Sequence, residues 1–271
     1  MTAITRSLIT RSLPLAWREA LTRVKGPLGL KVMGTETYRR QRSLAYGLTS
    51  GTLPHQRIGN YDAVEIGAGN LATVHLARDL MTGEFVALKR ANDTLFEHTI
   101  EQEAKILQLL PSRKIVKYLG LVKEPHCLIK EFIFGAPVEA LELTFPEKIY
   151  VIIGALKALK AIHKAGVLDP DIEPANVMIS ASGELVLPDF NLCEPTSNYP
   201  KPQKLAAAKR KDLFLAVRKM GSLFNRGQEQ ELSVVKLFPK HKLGESADLT
   251  FHYKSCDQFL MAIYAKLQTT I

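Results

Sequence analysis

Residues Val167 to Asn191 read V-L-D-P-D-I-E-P-A-N-V-M-I-S-A-S-G-E-L-V-L-P-D-F-N. Two apolar runs, Val177-Met178-Ile179 and Leu185-Val186-Leu187, flank the turn residues Ala181-Ser182-Gly183, the pattern of a β-hairpin. Folding that hairpin back returns the loop before it and the loop after it to the same end. Asp171, Asn176 and Asp189 then converge on one point. The bland alternative is an ordinary hairpin with acidic flanks.

An Asp, an Asn and a second Asp at one point suit phosphoryl transfer. One carboxylate orients the attacking hydroxyl, while the other and the amide oxygen hold hard magnesium ions that bridge the phosphates. Asp171-Ile172-Glu173-Pro174-Ala175-Asn176 resembles the protein kinase catalytic loop, and Asp189-Phe190-Asn191 resembles its metal-binding tripeptide. The resemblance implies a catalytic role for Asp171 and Asn176, metal ligation by Asn176 and Asp189, and ATP with Mg2+ as cofactors.

Upstream, Asp62-Ala63-Val64-Glu65-Ile66 and Thr73-Val74-His75-Leu76-Ala77 read as strands around Gly67-Ala68-Gly69-Asn70-Leu71-Ala72. A turn at Met81-Thr82-Gly83-Glu84 leads into Phe85-Val86-Ala87-Leu88-Lys89. Glycines let backbone N–H groups approach phosphate oxygens closely. Because these glycines join two strands, the pattern is not a dinucleotide-binding fingerprint. Strand, glycine turn, strand, turn and V-A-L-K together resemble the kinase glycine-rich loop and strand-three lysine, although Ala72 stands where a third glycine is usual.

The resemblance assigns Gly67, Gly69, Val74, Ala87, Lys89 and Met178 to the nucleotide pocket. Thr94 to Leu110 is an amphipathic helix pattern that offers Glu101 and Glu103 as partners for Lys89. Its register resembles kinase helix C and favours Glu103. Ile115–Val122 and Cys127–Glu131 read as two further strands. Glu131-Phe132-Ile133-Phe134-Gly135 resembles the hinge, which implies adenine contacts at Glu131 and Ile133. Lys130 then occupies the gatekeeper position, usually apolar, where it either restricts the adenine pocket or pairs with an acid. Pro146 to Ala165 is a long apolar helix pattern that leads into the catalytic stretch.

The chain departs from the family in several places. Asp169 and Pro170 stand for His and Arg, Glu173 for a Lys that neutralises the transferring phosphate, and Asn191 for Gly. Without the Arg, control through an activation-loop phosphate is not expected. No Ala-Pro-Glu-like motif follows Asn191. Lys211-Asp212 opens an expected helix from Leu213 to Phe224, with Asp212 resembling the buried aspartate that braces the catalytic loop. Phe251 to Leu267 gives a last helix pattern. The short segment after Asn191 resembles bacterial effector kinases secreted into host cells.

The 271 residues are 46% hydrophobic and carry a net charge of +9. Residues 1 to 57 hold ten of the 36 Lys and Arg but only Glu19 and Glu36 of the 27 acids, so eight of the nine net charges lie there. Leu8, Leu13, Trp17, Leu21 and Val24 recur at roughly helical spacing, interrupted by Pro14. This composition suits a mitochondrial-type transit peptide, a bacterial secretion signal, an anionic-membrane contact, or a solvated basic tail with one short helix. Without aromatic-basic interleaving, nucleic-acid binding is not expected. Cys127, Cys193 and Cys256 form no CxxC pair and suggest no disulfide framework. The seven histidines show no metal-ligand spacing, and His163 reads as structural. No apolar run is long enough for a membrane span.

The expectation is therefore an α+β, two-lobed protein kinase-like fold. It comprises a basic extension over 1–57, a small antiparallel β lobe with one helix over 58–135, and a helical large lobe over 136–271. The implied activity is transfer of the ATP γ-phosphate to a Ser or Thr hydroxyl of a protein substrate, in the cytoplasm or a host cell, with room for an activating protein partner. The alternative is a pseudokinase that binds or scaffolds. Nucleotidyl transfer and small-molecule phosphorylation are further chemistries open to the fold.

Overall fold

The computed structural model describes residues 15–110, 113–124, 126–169, 171–224, 235–238 and 253–268. Pro170, the amino-terminal pattern before residue 15 and the expected helix start at Phe251 lie outside the described residues.

Six strands form one antiparallel sheet: β1 (Gln56–Ile58), β2 (Tyr61–Ala68), β3 (Ala72–Asp79), β4 (Phe85–Ala91), β5 (Tyr118–Lys123) and β6 (His126–Glu131), in the order β1-β2-β3-β4-β6-β5. The turn into β4 needs Gly83, whose φ is 75°, and Asp79 accepts the Met81 amide across it at 2.8 Å. Period-two alternation sorts the strands onto two faces. Val86 and Leu88 pack with Ala63, Ala77, Cys127 and Ile129 on one side. On the other, Lys89 pairs in register with Val74 and Leu128, and Ala87 with Lys130. Helix α4 (Glu97–Leu109) packs against this sheet with Ile100, Glu103, Ala104 and Leu107 buried.

The second lobe is mainly helical. Helix α5 (Phe145–Lys164) starts at a capping box in which Glu147 Oε2 accepts the Thr144 amide at 2.6 Å. Most of its middle, from Ile149 to Ile162, is buried, with Tyr150, Lys157, Lys160 and Ala161 on its partly open side. It precedes β8 (Val167–Leu168), β9 (Met178–Ser180), β10 (Leu185–Val186) and β11 (Glu194–Pro195), then helices α6 (Pro202–Gly221) and α7 (Cys256–Gln268). Strands β9 and β10 form the expected antiparallel hairpin, with Leu185 opposite Ile179 and β7 (Gly135–Pro137) on its far side. Beyond it, Val116 and Leu187 are joined by a 3.0 Å backbone bond, which ties the chain before Asp189 to the first lobe. Helix α6 begins well before Leu213. Pro202 fits its first turn, and Leu205 to Ala208 are strong helix formers.

The amino-terminal expectation needs correction. Residues 15–50 form three helices, α1 (Leu15–Arg23), α2 (Lys25–Gly34) and α3 (Glu36–Ser50), packed on the core rather than a separate extension. Leu28 and Val32 are fully buried. The Trp17 indole donates to Leu267 O at 3.1 Å and meets Phe145 edge-on. Gly29 lies so close to the hairpin turn that a Cβ there would meet Ala181 O at 2.5 Å. Ala45 and Leu48 of α3 pack on Leu76 of β3, and Gln41 Oε1 accepts the Gly135 amide at 3.0 Å. The physical reason is amphipathicity: Arg39 and Arg40 face out while Leu28, Val32, Ala45 and Leu48 face in. Average composition over 1–57 conceals that division.

Candidate functional site

Two clusters hold five of the twelve expected site residues, all of the charged ones but Glu131 among them. The first lies between the sheet and α4. Lys89 Nζ is 2.7 Å from Glu103 Oε2 and 2.7 Å from Asp189 Oδ1. The second Glu103 oxygen, Oε1, takes Lys130 Nζ at 2.7 Å, and Lys130 also donates to Pro188 O at 2.9 Å. Lys130 therefore pairs with an acid, the second of the two outcomes open for a gatekeeper lysine. Glu103, 0% exposed, sits between two ammonium groups. Glu101 lies instead on the outer side, 3.3 Å from His126 Nε2.

The charges in this cluster reinforce each other. Burial works against the Lys89 charge, but the Glu103 and Asp189 carboxylates outweigh it and hold its pKa above the ordinary lysine value. Burial also pushes the Asp189 carboxyl up. The Lys89 and Lys130 ammoniums, with hydrogen bonds from Lys89 and the Asn191 amide, outweigh that and hold it below the ordinary aspartate value. Asp189 is thus an anion at neutral pH.

The second cluster is in the loop before β9. Asn176 Nδ2 donates to Asp171 Oδ2 at 2.5 Å and to Asp171 O at 3.2 Å. Lys219, in the last turn of α6, donates to Asp171 Oδ1 at 2.6 Å and lies 3.1 Å from Glu173 Oε2. No sequence cue points to Lys219, because an isolated lysine late in a helix matches no motif. Among the described residues, no hydrogen bond or ion pair joins this cluster to the Lys89 cluster. Asp171 meets Asn176 directly, and Asp189 meets Lys89.

A buried layer supports the loop. Asp212 Oδ2 accepts the Asp169 amide at 2.9 Å and lies 2.7 Å from His163 Nε2, so His163 is a brace. Asp169 Oδ1 in turn accepts the Asp171 amide at 3.1 Å. Burial, then the nearby Asp212 and Asp171 charges, push the Asp169 carboxyl up to about 7 against the opposing Asp171 amide and Cys193 thiol. Burial and these carboxylates raise the Cys193 thiol.

The remaining expected residues line the first lobe and the crossing strand. Between β2 and β3, Gly69 donates to Ala72 O at 2.9 Å, and Asn92 Nδ2 holds Gly69 O at 2.7 Å. A Cβ on Gly67 would meet nothing within 4 Å, so this glycine leaves open space in the turn. Val74 and Ala87 share the Lys89 face of the sheet by register. The Glu131 amide is spent on Lys117 O at 2.9 Å and its side chain is exposed. Ile133 is half-buried between the lobes, and Met178 opens β9 opposite Pro137.

The donor set suits magnesium. The Asp189 carboxylate and the Asn176 amide oxygen are hard ligands, and magnesium is commonly held by one or two such groups with phosphates and water. Among the described residues, no three His, Cys, Asp or Glu side chains gather as a metal site, and no helix is long and apolar enough to cross a membrane.

The protein kinase domain model matches residues 61–210 of this chain. The chain is 31% identical over 141 residues to MAP3K epsilon protein kinase 1 of Brassica napus, covering 47% of this chain and 11% of that protein. A probable serine/threonine-protein kinase of Streptomyces coelicolor is 30% identical over 157 residues, 51% of this chain and 23% of that one. A probable serine/threonine-protein kinase of Dictyostelium discoideum is 32% identical over 141 residues, 47% and 22%. The chain thus spans from about a tenth to about a quarter of the length of these relatives.

Proposed function

Because the chain belongs to the protein kinase family, we propose that it transfers the γ-phosphate of ATP to a Ser or Thr hydroxyl of a protein substrate. The observation that carries this reading is Lys89, held 2.7 Å from both Glu103 and Asp189. That ion pair spans the lobes and fixes one ammonium over the place where nucleotide phosphates would lie. Asn176 and Asp189 would hold magnesium, which neutralises phosphate charge. Asp171 orients the acceptor hydroxyl and takes its proton late in the transfer. Glu103 positions Lys89, and the glycine turn leaves backbone room for phosphate oxygens.

Within the family we read this as a kinase with a shortened activation segment, akin to bacterial effectors secreted into host cells. The support is the path after Asn191, which runs through β11 and one 3-10 turn into α6 at Pro202. Transfer of 33P from γ-labelled ATP with magnesium, to the protein itself and to a casein and histone mixture, tests the activity. Transfer that vanishes in Asp171→Ala is the expected result. Nucleotide binding without transfer would leave the pseudokinase reading.

A further inference from the structure

The loop around Asp171 has an electrostatic problem. Transfer moves a phosphoryl group whose negative charge is spread over three oxygens. Asp171 and Glu173, two residues apart, both present carboxylates where the acceptor would meet that group. Two uncompensated anions there would repel it, and the effect grows as water is excluded. The chain answers with a cation from a distant element: Lys219 Nζ bridges Asp171 Oδ1 at 2.6 Å and Glu173 Oε2 at 3.1 Å.

The placement of Lys219 is built rather than incidental. Asp212 lies seven residues earlier on α6, two turns away and on the same face. Asp212 grips the Asp169 amide while Lys219 grips the Asp171 side chain. One helix therefore sets both the backbone and the charge of the loop. Burial opposes the Lys219 charge, but the Asp171 and Glu173 hydrogen bonds and charges outweigh it and raise its pKa. The same ammonium borders open space. A cavity of about 910 Å3 is lined by Glu173, Pro174, Ala175, Lys219 and Ser222, which leaves room for an acceptor segment.

Resting on the phosphotransferase reading, we propose that Lys219 is a catalytic residue that neutralises the transferring phosphoryl group, supplying from α6 the cation that the loop lacks at Glu173. In that step the bond from the γ-phosphorus to the ADP oxygen breaks, and ADP leaves with the electron pair. The bond from phosphorus to the acceptor oxygen forms, and the acceptor proton passes to Asp171. Lys219 donates hydrogen bonds and exchanges no proton.

The test compares the full chain with Lys219→Met, Lys219→Arg and the exchange variant Lys219→Met with Glu173→Lys. Transfer of 33P, nucleotide affinity and melting temperature are measured on each. Lys219→Met should lower kcat about 100-fold, as loss of one preorganised donor does, with ATP affinity within about threefold because the contact forms mainly in the transition state. Lys219→Arg, which keeps the charge, should stay within about tenfold of the parent kcat. The exchange variant, which moves the ammonium onto the loop, should recover at least about tenfold of the loss. A purely structural lysine would lower melting temperature and nucleotide affinity together and show no recovery. Unchanged kcat in Lys219→Met, or an exchange variant no faster than Lys219→Met, overturns the inference alone. A parent chain that transfers nothing overturns the phosphotransferase reading and this inference with it.

Discussion

The Lys89 cluster and the Asp171 cluster solve different problems with the same kind of contact. Around Lys89, charged side chains from β4, α4 and β6 are buried together, and Asp189, from the segment after β10, joins them with its side chain partly open to solvent. Around Asp171, a half-exposed carboxylate is held by its own loop and by one lysine far along the chain. The first arrangement fixes charge before any substrate arrives. The second leaves charge accessible at the edge of an open cavity. On the proposed function, holding nucleotide and moving phosphate fall to different clusters, and substitutions should separate them.

The largest expected effect on stability is at Glu103. Glu103→Gln leaves Lys130 with no carboxylate and Lys89 with Asp189 alone, and losing one partner of a buried ion network costs about 3–5 kcal/mol. Lys130→Met removes one cation but leaves the Lys89–Glu103 pair intact, so the cost should stay under about 1.5 kcal/mol. Denaturant melts of the two variants check this. Equal losses would mean that Lys130, and not Lys89, is the main partner of Glu103.

Next comes the packed amino-terminal bracket. Leu28 is fully buried within the main core, so Leu28→Ala should cost about 2–4 kcal/mol by removing buried methyl groups and leaving a cavity. A loss under about 0.5 kcal/mol, typical of a surface change, would restore the view of residues 1–57 as an appendage.

A pH-dependent effect, absent at pH 4 and complete at pH 8, is expected beneath the Asp171 loop. With Asp169 near 7 in the fold and 3.8 as the ordinary value, the folded protein binds a proton that the unfolded chain releases between those pH values. Stability from this group therefore falls as pH rises from about 4 to about 7 and is level above that. Asp169→Asn keeps an oxygen for the Asp171 amide and removes the titration. It should gain on the order of 4 kcal/mol over the parent at pH 8, since roughly three units at about 1.4 kcal/mol each separate the two states, and little at pH 4. A pH-independent difference would remove Asp169 as the titrating group.

The two clusters also differ in how far the sequence discloses them. Lys89, Glu103 and Asp189 stand in short, ordered motifs, and the resemblance of α4's register to kinase helix C favours Glu103 over Glu101 before any contact is seen. Asn176 lies five residues from Asp171, near enough for local spacing to suggest a meeting. Lys219 is 48 residues from Asp171, and only the packing of α6 under the loop brings them together. Gln41, which caps the Gly135 amide 94 residues away, is hidden for the same reason. Averaging obscures helices α1 to α3, because exposed arginines such as Arg39 and Arg40 alternate with buried residues such as Leu28, Val32 and Leu48. The start of α6 was legible in Pro202 and the alanines after it, but matching Asp212 to a known brace drew the boundary too late.

The most direct measurement sets Lys89→Met beside Asp171→Asn, with Mg-ATP affinity by calorimetry and kcat by 33P transfer determined on both. The proposed mechanism has Lys89 contact nucleotide phosphates in the ground state, so Lys89→Met should weaken binding at least about tenfold and slow turnover as well. It has Asp171 act mainly in the transition state, so Asp171→Asn should lower kcat by about 10²–10⁴ and leave affinity within about threefold. Unchanged transfer in Asp171→Asn, or equal loss of affinity in both variants, would contradict the division of labour between the two clusters.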